Sequence, residues 1–234
     1  MKSRVFEEIM SNQKLEFRRG SAEFRMGIEK MIQLERWLIE NPNAIGIAFV
    51  GRSNVGKSTL INSLLGNKTA RTSKTPGRTR QVNIFEFKLN GLEEGRENKF
   101  FLYDLPGYGH AEVSKEMAKN WTILLNTFFT YSGNLTLLVN IQDARHPHQQ
   151  VDQDFQEYIE GFSHETMLVF NKMDKLKTQS EKAKLKNLQP QIYQAYKNVK
   201  SIHFISAEKK EKIDVLEQNL INFLLQKQDA LRLL

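Results

Sequence analysis

The segment Gly51 to Ser58 reads GRSNVGKS and directly follows the apolar run Ile45 to Val50. The apolar run predicts a buried strand, and residues 57–65, which end before Gly66, predict a helix. A glycine-rich loop between a buried strand and a helix directs its backbone N–H groups, together with the positive end of the helix dipole, at one anionic site. The spacing G-x-x-x-x-G-K-S therefore predicts a loop that binds the phosphates of a nucleoside triphosphate.

Two side chains at the end of this loop have predicted roles in phosphate chemistry. Lys57 can reach the β- and γ-phosphates, and the Ser58 hydroxyl can bind Mg²⁺. The loop alone does not indicate which base the nucleotide carries.

Strand and helix patterns alternate along the rest of the chain. Residues 81–89 and 100–103 predict a hairpin, and further strands are predicted at 135–141, 167–170 and 201–205. Helices are predicted near residues 114–130, 149–159, 180–196 and 212–225. This order predicts an α/β fold with a mostly parallel six-stranded sheet, one antiparallel strand and helices on both faces. Ligands of such sheets bind at the carboxyl ends of the strands.

Residues 1–43 are predicted to form an N-terminal extension, before a nucleotide-binding domain at 44–234. Phe24, Ile28, Met31, Leu34 and Leu38 recur at helical spacing. We expect an amphipathic helix docked on the core, and the alternative is an arm for a partner. Residues 1–20 are expected to be loosely ordered.

Composition predicts a soluble, cytoplasmic protein with a polyanionic partner. The chain has no cysteine, which excludes disulfides and thiolate metal sites. Its net charge is +7, and a basic chain favours polyanions such as nucleic acid. The basic residues form two groups. The first is Lys68, Arg71, Lys74, Arg78 and Arg80, and the second is Lys172, Lys175, Lys177, Lys182, Lys184 and Lys186. Each group could equally be a solvated face.

A D-x-x-G motif ends the second strand of the hairpin. Asp104 can hold Mg²⁺ through water, and the Gly107 N–H can meet a γ-phosphate. The motif alone is a weak signal.

An N-K-x-D motif, at Asn171 to Asp174, follows the next-to-last predicted strand. The Asp174 carboxylate can accept from the ring N–H and the exocyclic amine of guanine, which adenine does not offer. Lys172 would lie along the base, Asn171 would join this loop to the phosphate loop, and Ser206-Ala207 would offer N–H groups to the guanine carbonyl. Sites that hydrogen-bond a group of the correct ligand reject an analogue without that group, here adenine against guanine, by a factor of roughly 10⁴–10⁵. The motifs together predict a P-loop NTPase of the Ras-like G-domain type that binds GTP and GDP.

A threonine from the segment between residues 67 and 80 is expected to close the site. Its hydroxyl would bind Mg²⁺ and its N–H would meet the γ-phosphate, so that loss of this phosphate releases the loop. The residues by themselves leave Thr75 and Thr79 as alternatives.

The motifs GRSNVGKS, TSKTPGRT (72–79), DLPGYG (104–109), NKMD and ISA (205–207) resemble those of the EngB (YihA/YsxC) family. The resemblance covers about residues 44–226. It implies a bacterial GTPase that acts in assembly of the large ribosomal subunit, with Thr79 as the Mg²⁺ ligand and residues 77–81 lining the nucleotide. Residues 143–147 resemble the D-x-R-H-P stretch of the family. Arg80 stands where the family usually has Gln, and residues 1–43 differ from its usual N-terminal segment.

The predicted site therefore has three overlapping sets of residues. The catalytic set is Lys57, Thr79 and Asn54. The metal set is Ser58, Thr79 and Asp104. The nucleotide set is Gly51, Arg52, Ser53, Asn54, Val55, Gly56, Lys57, Ser58, Thr59, Gly77, Arg78, Thr79, Arg80, Gln81, Asp104, Leu105, Pro106, Gly107, Asn171, Lys172, Met173, Asp174, Ile205, Ser206 and Ala207. His146 and His148 lack companion ligands in the sequence, and no metal is assigned to them.

Hydrolysis is predicted to be slow. Ras-like enzymes orient the attacking water with a Gln after the D-x-x-G glycine, and here that residue is Tyr108. Asn54 raises the hypothesis of a K⁺ ion near the phosphates, as in relatives with Asn at this place. The alternative for Asn54 is local hydrogen bonding within the loop.

We expect a monomer that binds the large ribosomal subunit or its precursor through rRNA, with no DNA or membrane partner. One alternative is a GTP-dependent switch for a protein partner, for example in cell division. An ATP-using kinase is a further alternative, which the NKMD motif disfavours.

Overall fold

The computed structural model describes residues 14–66, 69–70, 81–109 and 115–233. In these ranges the strands are β1 (Glu16–Phe17), β2 (Glu23–Ile28), β3 (Gly46–Gly51), β4 (Val82–Phe87), β5 (Leu89–Asn90), β6 (Phe100–Asp104), β7 (Thr136–Asp143), β8 (Thr166–Asn171) and β9 (Val199–Phe204). The α-helices are α1 (Met31–Glu40), α2 (Lys57–Leu65), α3 (Lys115–Tyr131), α4 (Gln150–Glu160), α5 (Gln179–Ala195) and α6 (Ile213–Arg232). Among them, none combines the length and apolarity required to cross a membrane.

The main sheet has the strand order β2-β4-β6-β3-β7-β8-β9. Strands β6, β3, β7, β8 and β9 pair in parallel, and β4 pairs antiparallel with both β2 and β6. The predicted α/β class, the parallel core and the single antiparallel strand are confirmed. Over the described residues, however, the sheet has seven strands and not the predicted six.

Helices cover both faces of this sheet. Apolar side chains of α2 and α6 pack on one face, and those of α1, α3, α4 and α5 pack on the other. Because the strands are covered on both sides, β3, β7 and β8 are buried along their whole length. Because they run parallel, five strands have their carboxyl ends at the same edge of the sheet, where the predicted motifs lie: β3, β6, β7, β8 and β9.

The additional strand is β2, which lies within the segment predicted as a helix. Phe24 opposes Phe85 and Ile28 opposes Val82, with a shift of register between Phe24 and Met26. The irregularity sends Phe24 and Ile28 to opposite faces, so that Phe24 is 58% exposed and Ile28 is 2% exposed. Their helical spacing was therefore a coincidence.

Helix α1 docks on the core, as expected. Leu34, Trp37 and Leu38 are buried, and the Trp37 ring meets Phe101 and Tyr103 edge to face at 5.4 and 5.7 Å. Strand β2 pairs with β4, so the sheet crosses the predicted boundary after residue 43.

Residues 14–20 are anchored, in contrast to the expected loose order. The Phe17 N–H donates to Glu217 Oε1 at 2.7 Å, and Arg19 Nη2 donates to Glu217 Oε2 at 2.9 Å. The Gly20 N–H donates to the Leu65 carbonyl at 2.8 Å. Glu217 is 5% exposed, and the bonds from Phe17 and Arg19 satisfy its buried carboxylate.

Candidate functional site

The phosphate loop joins β3 to α2, as predicted. Gly56 adopts φ = +96° and precedes the first residue of α2. A Cβ at Gly56 would lie 2.3 Å from Asn171 Nδ2, and a Cβ at Gly51 would lie 2.5 Å from the Ile141 carbonyl oxygen. The two glycines are therefore required by close packing against β7 and the NKMD loop, and for Gly56 by the left-handed backbone as well.

Lys57 and Asp104 form an ion pair between the first turn of α2 and the end of β6. Lys57 Nζ donates to Asp104 Oδ1, and the two side chains are 11% and 7% exposed. Ser58, also in the first turn of α2, is partly buried. The fold thus brings the predicted phosphate lysine to a predicted metal-binding carboxylate.

Asn171 connects three loops at the edge of the sheet. Its Nδ2 donates to the Val55 carbonyl at 2.9 Å, and its Oδ1 accepts from the Ala207 N–H at 2.9 Å. Asn171 is 2% exposed. The predicted tie between the NKMD loop and the phosphate loop is present in the structure, and it extends to the ISA segment.

Asp174 lies beside the same loops, and its neighbours stabilise the ionised form of its side chain. Ser206 Oγ donates to Asp174 Oδ1 at 2.6 Å, and Lys175 Nζ lies 3.1 Å from Asp174 Oδ2. Burial acts to raise the pKa of Asp174, but the hydrogen bonds from Ser206 and Lys175 outweigh it, and the pKa lies below its usual range. The group is therefore ionised at neutral pH, as recognition of two guanine donors requires.

The N–H groups of Ser206 and Ala207 have partners within the protein. Ser206 donates to the Glu211 carbonyl at 3.2 Å, and Ala207 donates to Asn171 Oδ1. A guanine carbonyl would have to share or replace one of these acceptors, so the expected contact from this segment stays a prediction.

Lys172 is positioned by a carboxylate that was not assigned to the site from sequence. Lys172 Nζ donates to the Asn54 carbonyl and, at 2.9 Å, to Asp143 Oδ2. Arg145 Nε and Nη2 donate to Asp143 at 2.9 and 2.6 Å. Burial opposes ionisation of Asp143, but these bonds lower its pKa far below the usual range. The D-x-R-H-P resemblance was the available signal, because it marked Asp143 and Arg145.

Arg52 belongs to the phosphate loop, but its guanidinium is directed toward the start of α4. Nε donates to Asp152 Oδ1 at 2.9 Å, Nη2 donates to the His146 carbonyl at 3.0 Å, and Nη1 donates to Gln149 Oε1. Any contact of Arg52 with the nucleotide would consequently be made by its backbone.

The remaining predicted residues fall into four groups. The backbone segments around Val55, Leu105 and Ile205 are anchored by side chains that are at most 2% exposed. Gln81 Nε2 donates to Asn83 Oδ1 at 2.7 Å, along the sheet. The predicted residues Thr75, Gly77, Arg78, Thr79 and Arg80, and the whole first basic group, lie outside the described residues. The roles of Ser53, Thr59, Pro106, Gly107 and Met173 stay predictions.

The chain is similar to known families of GTP-binding proteins. A family model described as 50S ribosome-binding GTPase matches residues 46–172. A probable GTP-binding protein EngB of Campylobacter jejuni subsp. doylei is 43% identical over 145 residues, which are 60% of this chain and 71% of that protein. A probable EngB of Escherichia coli is 37% identical over 183 residues, which are 78% of this chain and 82% of that protein.

Solved structures share the fold. A crystal structure of a probable GTP-binding protein EngB has a TM-score of 0.58 at 24% identity, with 77% of this chain and 99% of that chain covered. Aquifex aeolicus Era bound to GDP·AlF4⁻ has a TM-score of 0.61 at 24% identity, with 76% of this chain and 56% of that chain covered. At this identity the two structures support the fold alone.

Proposed function

This chain belongs to the EngB family of GTP-binding proteins and is a GTPase, and we propose that it hydrolyses GTP slowly during assembly of the large ribosomal subunit. We further propose that residues 44–234 form the GTP-binding unit. Strand β2 and helix α1 of the preceding extension are packed onto that unit.

The proposed reaction is in-line attack of water on the γ-phosphate. Catalysis then rests on positioning and on neutralising developing charge. In our proposal Lys57 and the N–H groups of the phosphate loop supply that charge stabilisation, and Gly107 contacts the γ-phosphate. Asp174 and Lys172 hold the guanine base.

The oxygen donors present fit Mg²⁺. Asp104 is 5% exposed at the end of β6, and Mg²⁺ prefers carboxylate and hydroxyl oxygens. We propose that Ser58, Asp104 and Thr79 hold Mg²⁺, which would screen phosphate charge when bound.

Slow turnover is supported by the position of Tyr108. The side chain is 9% exposed, its ring stacks on Phe155 at 4.1 Å, and its hydroxyl lies 2.9 Å from Asp152 Oδ1. A side chain held in this way leaves no group at position 108 to orient the attacking water.

We expect hydrolysis to be faster in KCl than in NaCl if Asn54 contributes to a K⁺ site. Asn54 is exposed in the phosphate loop with φ = +63°. Steady-state hydrolysis at equal ionic strength is the measurement, with Asn54→Ser as the variant that should lose the difference between the two salts. Equal rates in KCl and NaCl for the unmodified protein would contradict the K⁺ hypothesis and leave Asn54 with its local role.

One observation carries the ribosomal part of the proposal, namely a group of exposed lysines beside the NKMD loop. Its members are Lys175, Lys177, Lys184, Lys186, Lys209, Lys210 and Lys212. Five of them follow β8 or β9, whose carboxyl ends lie at the edge where the nucleotide is proposed to bind, and Lys184 and Lys186 lie on α5. A basic surface at this place suits phosphate contacts with rRNA, and the matching family is described as 50S ribosome-binding.

We expect the protein to co-sediment with large ribosomal subunits in the presence of a non-hydrolysable GTP analogue. The logarithm of the association constant should fall linearly with the logarithm of the salt concentration, with a slope of about −0.7 to −0.9 for each phosphate contact. The variant K184E/K186E should bind more weakly and with a smaller salt slope, because it reverses two charges of the lysine group.

The control is K30E/K88E, which makes the same change of net charge at exposed lysines outside this group. It should retain association. Absence of large subunits from the GTP-analogue complex of the unmodified protein would contradict the ribosomal proposal. That result would leave a GTP-dependent switch for a protein partner as the alternative.

A further inference from the structure

Asp152, in the first turn of α4, is a buried carboxylate that meets three parts of the molecule. It is 0% exposed. Its Oδ1 accepts from Arg52 Nε of the phosphate loop at 2.9 Å and lies 2.9 Å from Tyr108 Oη, just after D-x-x-G. Its Oδ2 accepts from the Gln149 N–H at 3.1 Å. One side chain therefore joins the phosphate loop, the D-x-x-G segment and α4.

The Tyr108 hydroxyl carries a single proton, so it can donate to only one of its two neighbouring oxygens. It lies 2.9 Å from both Asp152 Oδ1 and Asn140 Oδ1. The carboxylate is the stronger acceptor, and rotation of the Asn140 amide by half a turn would place its otherwise unpartnered Nδ2 on Tyr108 Oη. Burial, followed by the charge of Asp152, raises the pKa of Tyr108, so the hydroxyl stays a donor.

The segment from Leu105 to Tyr108 is consequently fixed at both ends. At its start the Leu105 N–H donates to the Phe49 carbonyl of β3 at 3.0 Å, and the Leu105 side chain is fully buried. At its end Tyr108 stacks on Phe155, pairs with Arg52 as a short parallel bridge, and reaches Asp152. Gly107 lies between these two fixed points.

We propose that Asp152 is a positioning residue that sets Gly107 for the γ-phosphate, by holding Tyr108 and Arg52 in one register. A group placed in advance loses less freedom when the ligand binds. Asp152 therefore favours GTP over GDP without touching either nucleotide. This inference rests on the proposed contact between Gly107 and the γ-phosphate.

The test compares GTP-analogue and GDP affinity in Asp152→Asn and Tyr108→Phe, measured by fluorescent-nucleotide titration. Tyr108→Phe keeps the ring on Phe155 and removes only the hydroxyl. We expect each variant to lose about tenfold in affinity for a non-hydrolysable GTP analogue and to keep GDP affinity within about twofold. Steady-state kcat for GTP should fall in the same variants. The double variant should match the larger single effect, because both changes break one connection.

Tyr131→Phe is the matched control. It also removes a tyrosine hydroxyl that donates to a carboxylate, Glu35 Oε1 at 2.7 Å, but on α3 and outside the site. It should leave both affinities and kcat unchanged. If Asp152→Asn fails to fold, Tyr108→Phe alone decides.

An unchanged ratio of GTP-analogue to GDP affinity, with only a lower Tm, would overturn the inference and leave Asp152 a structural residue. An unchanged ratio of GTP-analogue to GDP affinity in Gly107→Pro, which lacks the N–H, would overturn the proposed γ-phosphate contact instead. The two failures are therefore distinguishable.

Discussion

Replacing Asp174 with asparagine should lower GTP affinity by about 10²–10⁴, because two hydrogen bonds to a charged group are worth about 1.5–3 kcal/mol each. The asparagine amide keeps the shape of the carboxylate but turns one acceptor into a donor, which would face the exocyclic amine of guanine. Xanthine has a carbonyl at that position. Titration with guanosine and xanthosine nucleotides should therefore show a reversal of preference, with xanthosine nucleotides bound more tightly than GTP.

The matched control for this change is Glu208→Gln. Glu208 is a neighbouring carboxylate that also pairs with Lys175, but its side chain is 64% exposed, and loss of its charge should leave both affinities nearly unchanged. GTP affinity of Asp174→Asn within about fivefold of the unmodified protein would show that Asp174 does not read the base.

Replacing Lys57 with methionine should have the second large effect, on both hydrolysis and stability. Loss of two charged contacts to phosphate should lower kcat/KM for GTP by about 10²–10⁴. The change also leaves Asp104 as an uncompensated charge at a site that is 5% exposed, and breaking a buried pair costs about 3–5 kcal/mol. Thermal unfolding should therefore occur at least about 6 °C lower.

The double variant Lys57→Met/Asp104→Asn separates these two effects. It removes the uncompensated charge, so the unfolding temperature should recover in part, while hydrolysis should stay lost. An unfolding temperature of Lys57→Met equal to that of the unmodified protein would show that the Lys57–Asp104 pair contributes no stability. Hydrolysis retained in Lys57→Met would show that Lys57 is not the phosphate lysine.

Most of the element order followed from local patterns. The predicted helix at 57–65 is α2 with the same bounds, and the hairpin of β4 and β6 formed within the two segments predicted for it, 81–89 and 100–103, apart from the final residue Asp104. These features depend on residues that are close in the chain, because the spacing of apolar side chains and the backbone preferences of each residue type act over a few positions. The last helix was predicted to end at 225 and continues to Arg232, since no glycine or proline stops it.

The N-terminal segment shows where local patterns fail. Strand β2 is formed by hydrogen bonds to β4, more than 50 residues away in the chain, and its irregular register mimics a helical spacing. No local signal states which edge of a sheet is available to pair. The anchoring of residues 14–20 on Glu217 has the same origin.

The sequence by itself determined the class of fold, the phosphate loop and the choice of guanine, because each depends on residue types at fixed short spacings. Only the tertiary structure decided the partners of the side chains around that loop. Arg52 extends to Asp152, Lys172 to Asp143, and Asn171 to both Val55 and Ala207, across 29 to 116 positions of sequence. Parallel strands bring their carboxyl ends to one edge, so distant loops share polar groups there, and burial then requires each group to find a partner.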